Sequence, residues 1–372
     1  DLMKTLIIIL LNICFLFSCS LPQNRNLENV YVLNLDEANN NDFYSMFDSV
    51  TYISLETQSD NEIGQISRIL YHYGKYIVTD MLTNRVFIFN EDGKYYSKID
   101  AIGNGPEEYV QITDITIDKY NERIKVLDAM QGKIVSYDLE GYSVGETKLP
   151  VVPAPLHFCQ VEKEKYAFDF QRCSSEKEWQ YNLFISSEYL SGEISKFLPY
   201  DKPLDVCFSP RVTLQEIDDE VLYIPLYSPT IYTIDSFELK PRYTFDFGDK
   251  WVDQDFVDIE WKDAGEFMNK LSRTKYVYYF NLLESGSHIY AEFMYKENKY
   301  RLVIDKETDH LFLQRETEAY KCHYTEIPMC CIGNKFVIPL TPFEYNSMIG
   351  DEAIQLPEDN NPILMFVTFK KF

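Results

Sequence analysis

Asp80-Met-Leu-Thr-Asn-Arg-Val86-Phe-Ile-Phe89-Asn90-Glu-Asp-Gly93 returns 48 residues later as Asp128-Ala-Met-Gln-Gly-Lys-Ile134-Val-Ser-Tyr137-Asp138-Leu-Glu-Gly141. Each copy reads as a strand of β-branched and aromatic residues closed by an Asn/Asp-x-x-Gly turn, and the runs from Tyr95 to Ile99 and Ser143 to Leu149 are strand-like again. The copy is therefore a hairpin inside a larger unit. Carrying the strand-end position forward from Asn90 and Asp138 leads to Ser186, Asp235 and Asp305, in steps of 48, 48, 49 and 70. The long step contains Phe256, Val257, Trp261, Phe267, Met268 and Leu271 near helical spacing, which predicts an inserted helix of about twenty residues between 249 and 275. A last strand, Ile363 to Phe369, follows a segment from Thr341 to Pro362 that is rich in Pro, Asn and Asp.

Six units result, each with four short strands, as in Ile66 to His72, Tyr76 to Asp80, Arg85 to Asn90 and Tyr95 to Ile99. Units of this length and content predict an all-β, six-bladed β-propeller, because one blade cannot bury both its faces and must stack on neighbours. The even step argues against two stacked β domains, so residues 30–372 are read as one domain, with the helical insertion between blades 4 and 5. The sixth unit stops at its third strand, and an orphan strand, Val50-Thr-Tyr-Ile-Ser-Leu55, precedes the first. It is predicted to supply the outer strand of the last blade and so to close the ring.

Composition places this fold in a compartment. The 372 residues are 45% hydrophobic, and 35 Lys plus Arg against 59 Asp plus Glu give a net charge of −24. That excludes a disordered chain and argues against nucleic acid as a partner, since phosphate binding rests on basic side chains. Lys4 precedes an apolar run from Leu6 to Phe17 that is too short to span a bilayer, and Leu16-Phe17-Ser18-Cys19 closes it. Residues 1–18 read as an export signal. Leu-x-Ser-Cys resembles a bacterial lipobox, which implies lipidation of Cys19, a tether over residues 19–29, and an outer-membrane lipoprotein on the periplasmic or surface side. Its membrane contact is then through the lipid alone, and a monomer is expected. Beyond Cys19 and this leader, six cysteines (Cys159, Cys173, Cys207, Cys322, Cys330 and Cys331) are too few and too scattered for a disulfide scaffold, and vicinal Cys330-Cys331 lacks a second pair at zinc spacing.

Leu55-Glu-Thr before the first blade, the strand closing at Asn90-Glu-Asp-Gly93, Gly103-Asn-Gly-Pro-Glu-Glu-Tyr109 and Ile231-Tyr-Thr-Ile together resemble the six-bladed β-propeller lipoproteins of Gram-negative, Bacteroides-type bacteria. The resemblance covers roughly residues 30 to 372, with Glu107 where a glycine is common in that family. It implies the fold and an envelope location, and no secure reaction.

In a propeller the first strand of each blade lines the channel, while blade-to-blade linkers and second-to-third-strand loops share one face. The insertion at 249–275, the loop 341–362, the lengthened loop Gln171 to Trp179 and Gly103 to Tyr109 are all assigned to that face, where binding residues tend to collect. Candidate ligand-binding residues are Arg68, Asp114 and Arg211 beside the inner strands, Asn104, Glu107, Glu108 and Tyr109 in the connector, and Trp179 and Trp251; Trp261 is expected to dock the inserted helix. His-Glu-x-x-His, Gly-x-Ser-x-Gly and phosphate-loop patterns are missing. The leading reading is a non-enzymatic, envelope-anchored binding propeller, without cofactor, for a glycan, peptide or envelope protein. The alternative is a metal-dependent hydrolase or lyase resembling six-bladed sugar lactonases, in which Asp114 and Glu108 hold a divalent ion on the axis.

Overall fold

The structure, a computed structural model, describes residues 29–151, 154–187, 190–204, 212–316, 327–349 and 355–372. The expected export signal and tether before Asn29, with Cys19, Cys207, Cys322 and the candidate Arg211, lie outside the described residues.

Six antiparallel sheets form the blades of a propeller. Blade 1 consists of Ile66–His72, Lys75–Asp80, Arg85–Asn90 and Tyr95–Ile99, paired in sequence order. The first strands of the later blades are Asp114–Asp118, His157–Glu162, Leu214–Ile217, Val277–Glu284 and Cys330–Ile332. Apolar side chains on both faces of each sheet, such as Ile77 and Val78, are buried against the adjoining blades. This two-sided burial is why the strands read as near-continuous hydrophobic runs rather than as alternation.

Ring closure follows the predicted route. Phe47–Ser54 pairs antiparallel with Ile363–Phe369 as the fourth strand of blade 6. The repeat glycines show that this joint matches the others. A Cβ on Gly93 would lie 2.2 Å from the carbonyl oxygen of Ser54, in the outer strand of blade 6, and a Cβ on Gly141 would lie 2.2 Å from that of Lys98, in the outer strand of blade 1. Both glycines also have positive φ (82° and 92°), so each turn needs glycine for its conformation and for the close approach of the preceding blade. The repeated Asp80 and Asp128 are buried as well. Asp80 accepts the N–H groups of Gln65, Leu82 and Thr83, and Asp128 those of Val110 and Gln131, tying each second-to-third-strand loop to the chain that enters the blade.

Three features depart from the sequence expectation. Val30–Val32 runs parallel to the outer strand of blade 4 as a fifth strand, and Asn39 bridges to Gln314 on blade 5. The N-terminal segment is thus a strap over blades 4, 5 and 6 rather than a latch on blade 6 alone. The insertion is two short helices, Gln254–Val257 and Ala264–Ser272, because Asp263 accepts the Glu266 N–H at 2.8 Å while Glu266 reaches back to the Lys262 N–H, a capping arrangement that starts a second helix. Residues Pro342–Ile349, expected as loop, form a helix capped by Thr341 and Glu344.

Candidate functional site

Inner-strand positions of four blades meet at the axis. The Asp114 carboxylate lies 3.8 Å from Arg68 Nε and 3.4 Å from His157 Nδ1, and it accepts the Phe158 N–H at 3.1 Å. Arg68 then reaches across the channel, donating from Nη2 to the Leu214 carbonyl at 3.4 Å. Burial alone would raise the Asp114 carboxyl, but the Arg68 guanidinium and the His157 hydrogen bond more than offset it and hold the group below its ordinary value. Of the residues singled out from sequence, Arg68 and Asp114 are therefore brought together.

Beside this girdle lies a cavity of about 260 Å³. Apolar groups such as Ile69, Leu283 and Met329 line its wall together with three thiols, Cys159, Cys330 and Cys331. Burial raises all three thiols, Cys330 to about 12, so they are protonated at neutral pH and serve as small apolar surface. Arg68, Thr116 and Gln215 add polar groups along the inner strands, and Lys119, Glu216 and His72 do so nearer the mouth. Lys119 Nζ pairs with Glu216 at 2.6 Å, and the Cys159 thiol donates to the other Glu216 oxygen at 3.5 Å. His72 lines the same mouth. Burial lowers its imidazole, with Glu216 and Glu122 acting in the opposite sense.

The position of the mouth follows from the topology. Tyr71, His72, Lys119, Asp218 and Gly333 sit at or just beyond the C-terminal ends of inner strands. The cavity therefore opens on the face of the tight first-to-second-strand turns, opposite the insertions.

The loop-rich face uses its candidate residues differently. Tyr109 is fully buried, and its hydroxyl donates to the carbonyls of Asn84 and Ile99. The Glu108 carboxylate accepts the Gly105 N–H at 2.8 Å and occupies the space a Cβ on Gly103 would need, 2.0 Å away. Glu107 accepts from the Ser143 hydroxyl, its N–H donates to Glu146, and its carbonyl accepts from Tyr137. The Gly-Asn-Gly-Pro-Glu-Glu-Tyr segment is thus a folded joint laid on the third and fourth strands of blade 2, with Asn104 exposed on it. The hydrogen bonds of Glu107 and Glu108 are made within this joint and to the third and outer strands of blade 2. Among the described residues no group of three or more His, Cys, Asp or Glu is placed to hold a metal ion.

Trp179 is 9% exposed and packs on Phe170 and Phe184 in the core of blade 3. Trp251 stacks on Phe247 with 5.3 Å between ring centroids and donates from Nε1 to the Tyr227 carbonyl. Trp261 is half-buried between Phe256 and Phe267, holding the insertion together. Sequence reasoning missed Lys119, Glu216, His72 and Cys159. Their only signal was position, at or near the ends of predicted inner strands.

Fold and site define a six-bladed propeller with a polar-mouthed axial cavity. Residues 22–339 match the family DUF5128, described as a 6-bladed beta-propeller, and the chain belongs to that family. Among solved structures, a Bacteroides fragilis protein named for inferred export is similar at a TM-score of 0.78 and 18% identity, covering 92% of this chain and 99% of its own. A Bacteroides vulgatus member of the duf4221 family is similar at a TM-score of 0.54 and 12% identity, covering 87% of this chain and 97% of its own. No curated protein matches.

Proposed function

We propose that the protein is an envelope-anchored binding propeller whose ligand site is the axial cavity. The observation that carries this reading is the cavity itself, about 260 Å³, open to solvent on the tight-turn face and lined at its mouth by His72, Lys119 and Glu216. Apolar walls with a few convergent polar groups are the usual make-up of a small-ligand site, and this volume sits just under the roughly 300–1,000 Å³ of drug-sized sites. It suits one small polar unit.

Export is supported by the apolar leader from Leu6 to Phe17 and by the name of the Bacteroides fragilis relative. Anchoring rests on Leu16-Phe17-Ser18-Cys19. No helix of the described residues is long and apolar enough to cross a membrane. Cys19→Ala should therefore move the protein from the membrane pellet to the soluble envelope fraction; a variant that still pellets refutes lipid anchoring.

The site is tested by thermal-shift screening of the full chain against small polar compounds, oligosaccharides and peptides. Ile332, half-buried on the cavity wall, supplies the control variant Ile332→Trp, which fills the mouth. A compound that raises the Tm of the wild type and leaves Ile332→Trp unmoved supports the axial site. A compound that stabilises both equally contradicts it.

A further inference from the structure

Resting on the axial-site reading, we propose that the ligand is a neutral glycan whose terminal sugar enters the cavity while the adjoining ring stacks on tyrosines of blades 1 and 2. The two faces of the disc expose different apolar chemistry. Among the described residues, the exposed large apolar side chains in the tight turns of blades 1 and 2 are all tyrosines, Tyr73, Tyr120 and Tyr142. The loop-rich face of the same two blades exposes Met81, Leu82, Ile102 and Met130 instead. Aliphatic side chains suit a protein surface. Tyrosine rings offer a flat face to the C–H face of a sugar and a hydroxyl to its edge.

Two of these rings, Tyr73 and Tyr120, adjoin residues that line the mouth, while Tyr142 stands on the outer turn of blade 2. Tyr71 lines the cavity directly. Tyr73 is 67% exposed, and its ring centroid lies 4.2 Å from that of His72, which lines the mouth. Tyr120, 58% exposed, follows Lys119. Tyr73 also holds φ at +45° in a two-residue turn with Gly74, a conformation that favours Asn or Gly, so an aromatic residue is placed there against local preference.

The charges fit a polyol. Paired Lys119 and Glu216 present a donor and an acceptor side by side with no net charge, which matches hydroxyl groups that both donate and accept. A chain of net charge −24 repels uronates and other polyanions. Polyanions are thereby disfavoured, and the neutral pair of Lys119 and Glu216 fits an uncharged glycan.

The test uses the full chain in detergent on an array of neutral oligosaccharides, uronate-containing oligosaccharides and unmodified peptides. Neutral glycans should be retained. The double variant Tyr73→Ala/Tyr120→Ala should weaken their binding at least tenfold at unchanged Tm, Ile332→Trp should abolish it, and Met130→Ala, on the opposite face, should leave it unaltered. Peptide or uronate retention that Ile332→Trp abolishes, without neutral-glycan retention, overturns the glycan assignment and leaves the axial site standing. Neutral-glycan retention that neither variant alters overturns both, and retention of nothing on the array overturns the glycan assignment.

Discussion

The loop-rich face carries the long segments, two short insertion helices, the capped helix Pro342–Ile349 and the Gly103–Tyr109 joint, while the tight-turn face carries mostly short reversals. Function would be sought first on the former. Yet its singled-out aromatic and acidic residues are occupied inwardly: Tyr109 plugs a joint, Glu108 fills the space over Gly103, and Trp179 lies in a blade core. On the tight-turn face, Lys119, Glu216 and His72 surround an open cavity and tyrosines stand free of the core. Lys119 and Glu216 are themselves paired, so what sets the two faces apart is the solvent-open cavity these groups line.

Both faces exist only if the ring closes, so the largest effect is expected from deleting residues 30–56. The deletion removes the fourth strand of blade 6, the fifth of blade 4 and the bridge on blade 5, exposing unpaired edges. A loss of cooperative melting is expected; an unchanged melting curve would refute the strap as a structural element.

Next comes the buried ion cluster between blades 4 and 5, beneath the tight-turn face. Glu284 is fully buried, paired with Arg242 at 2.8 Å and Lys306 at 2.6 Å, and it also accepts the Tyr243 hydroxyl. Burial alone would raise its carboxyl, but these three partners outweigh burial and leave it below its ordinary value of 4.5. A depressed carboxyl contributes stability above the unfolded-state value and loses it as pH falls through the folded-state value. Glu284→Gln should thus cost roughly 3–5 kcal/mol at neutral pH, the usual penalty for breaking a buried pair. The gap to wild type should narrow as pH drops below about 4.5, as denaturant melts across pH would show.

Trp179 sharpens the comparison directly. Its truncation to Ala should cost roughly 3–5 kcal/mol, as for aromatic core residues, with ligand affinity unchanged in the surviving folded fraction. Loss of affinity at unchanged stability would return it to the binding surface. The smallest stability effects belong to Tyr120→Ala and Met130→Ala, both on exposed side chains. Each should stay within about 0.5 kcal/mol of wild type, and only the tyrosine change should weaken ligand capture.

The fold was legible because its signals are local. The Asn/Asp-x-x-Gly turns recur at a fixed step, and the four strands of blade 1 and the closing strand Ile363–Phe369 fall within a residue or so of where the sequence placed them. Thr341-Pro-Phe-Glu344 also carried a capping pattern for the helix that follows, with Pro at its first position. The site was less legible. Strands buried on both sides show no alternation to mark the axis, so nothing in the sequence says that Cys159, Glu216 and Lys119 meet across three blades. The parallel pairing of Val30–Val32 with blade 4 is equally non-local. Arg68 and Asp114 were found because a charge in an inner strand requires a partner.

The most direct test of the axial site is a crystal structure of the protein with a ligand retained in the screens above. Density between Ile69, Lys119 and Glu216, with a ring against Tyr73 or Tyr120, is the predicted result. Density on the opposite face beside Met81, Met130 or Phe343, with the axial cavity holding only solvent, would contradict it.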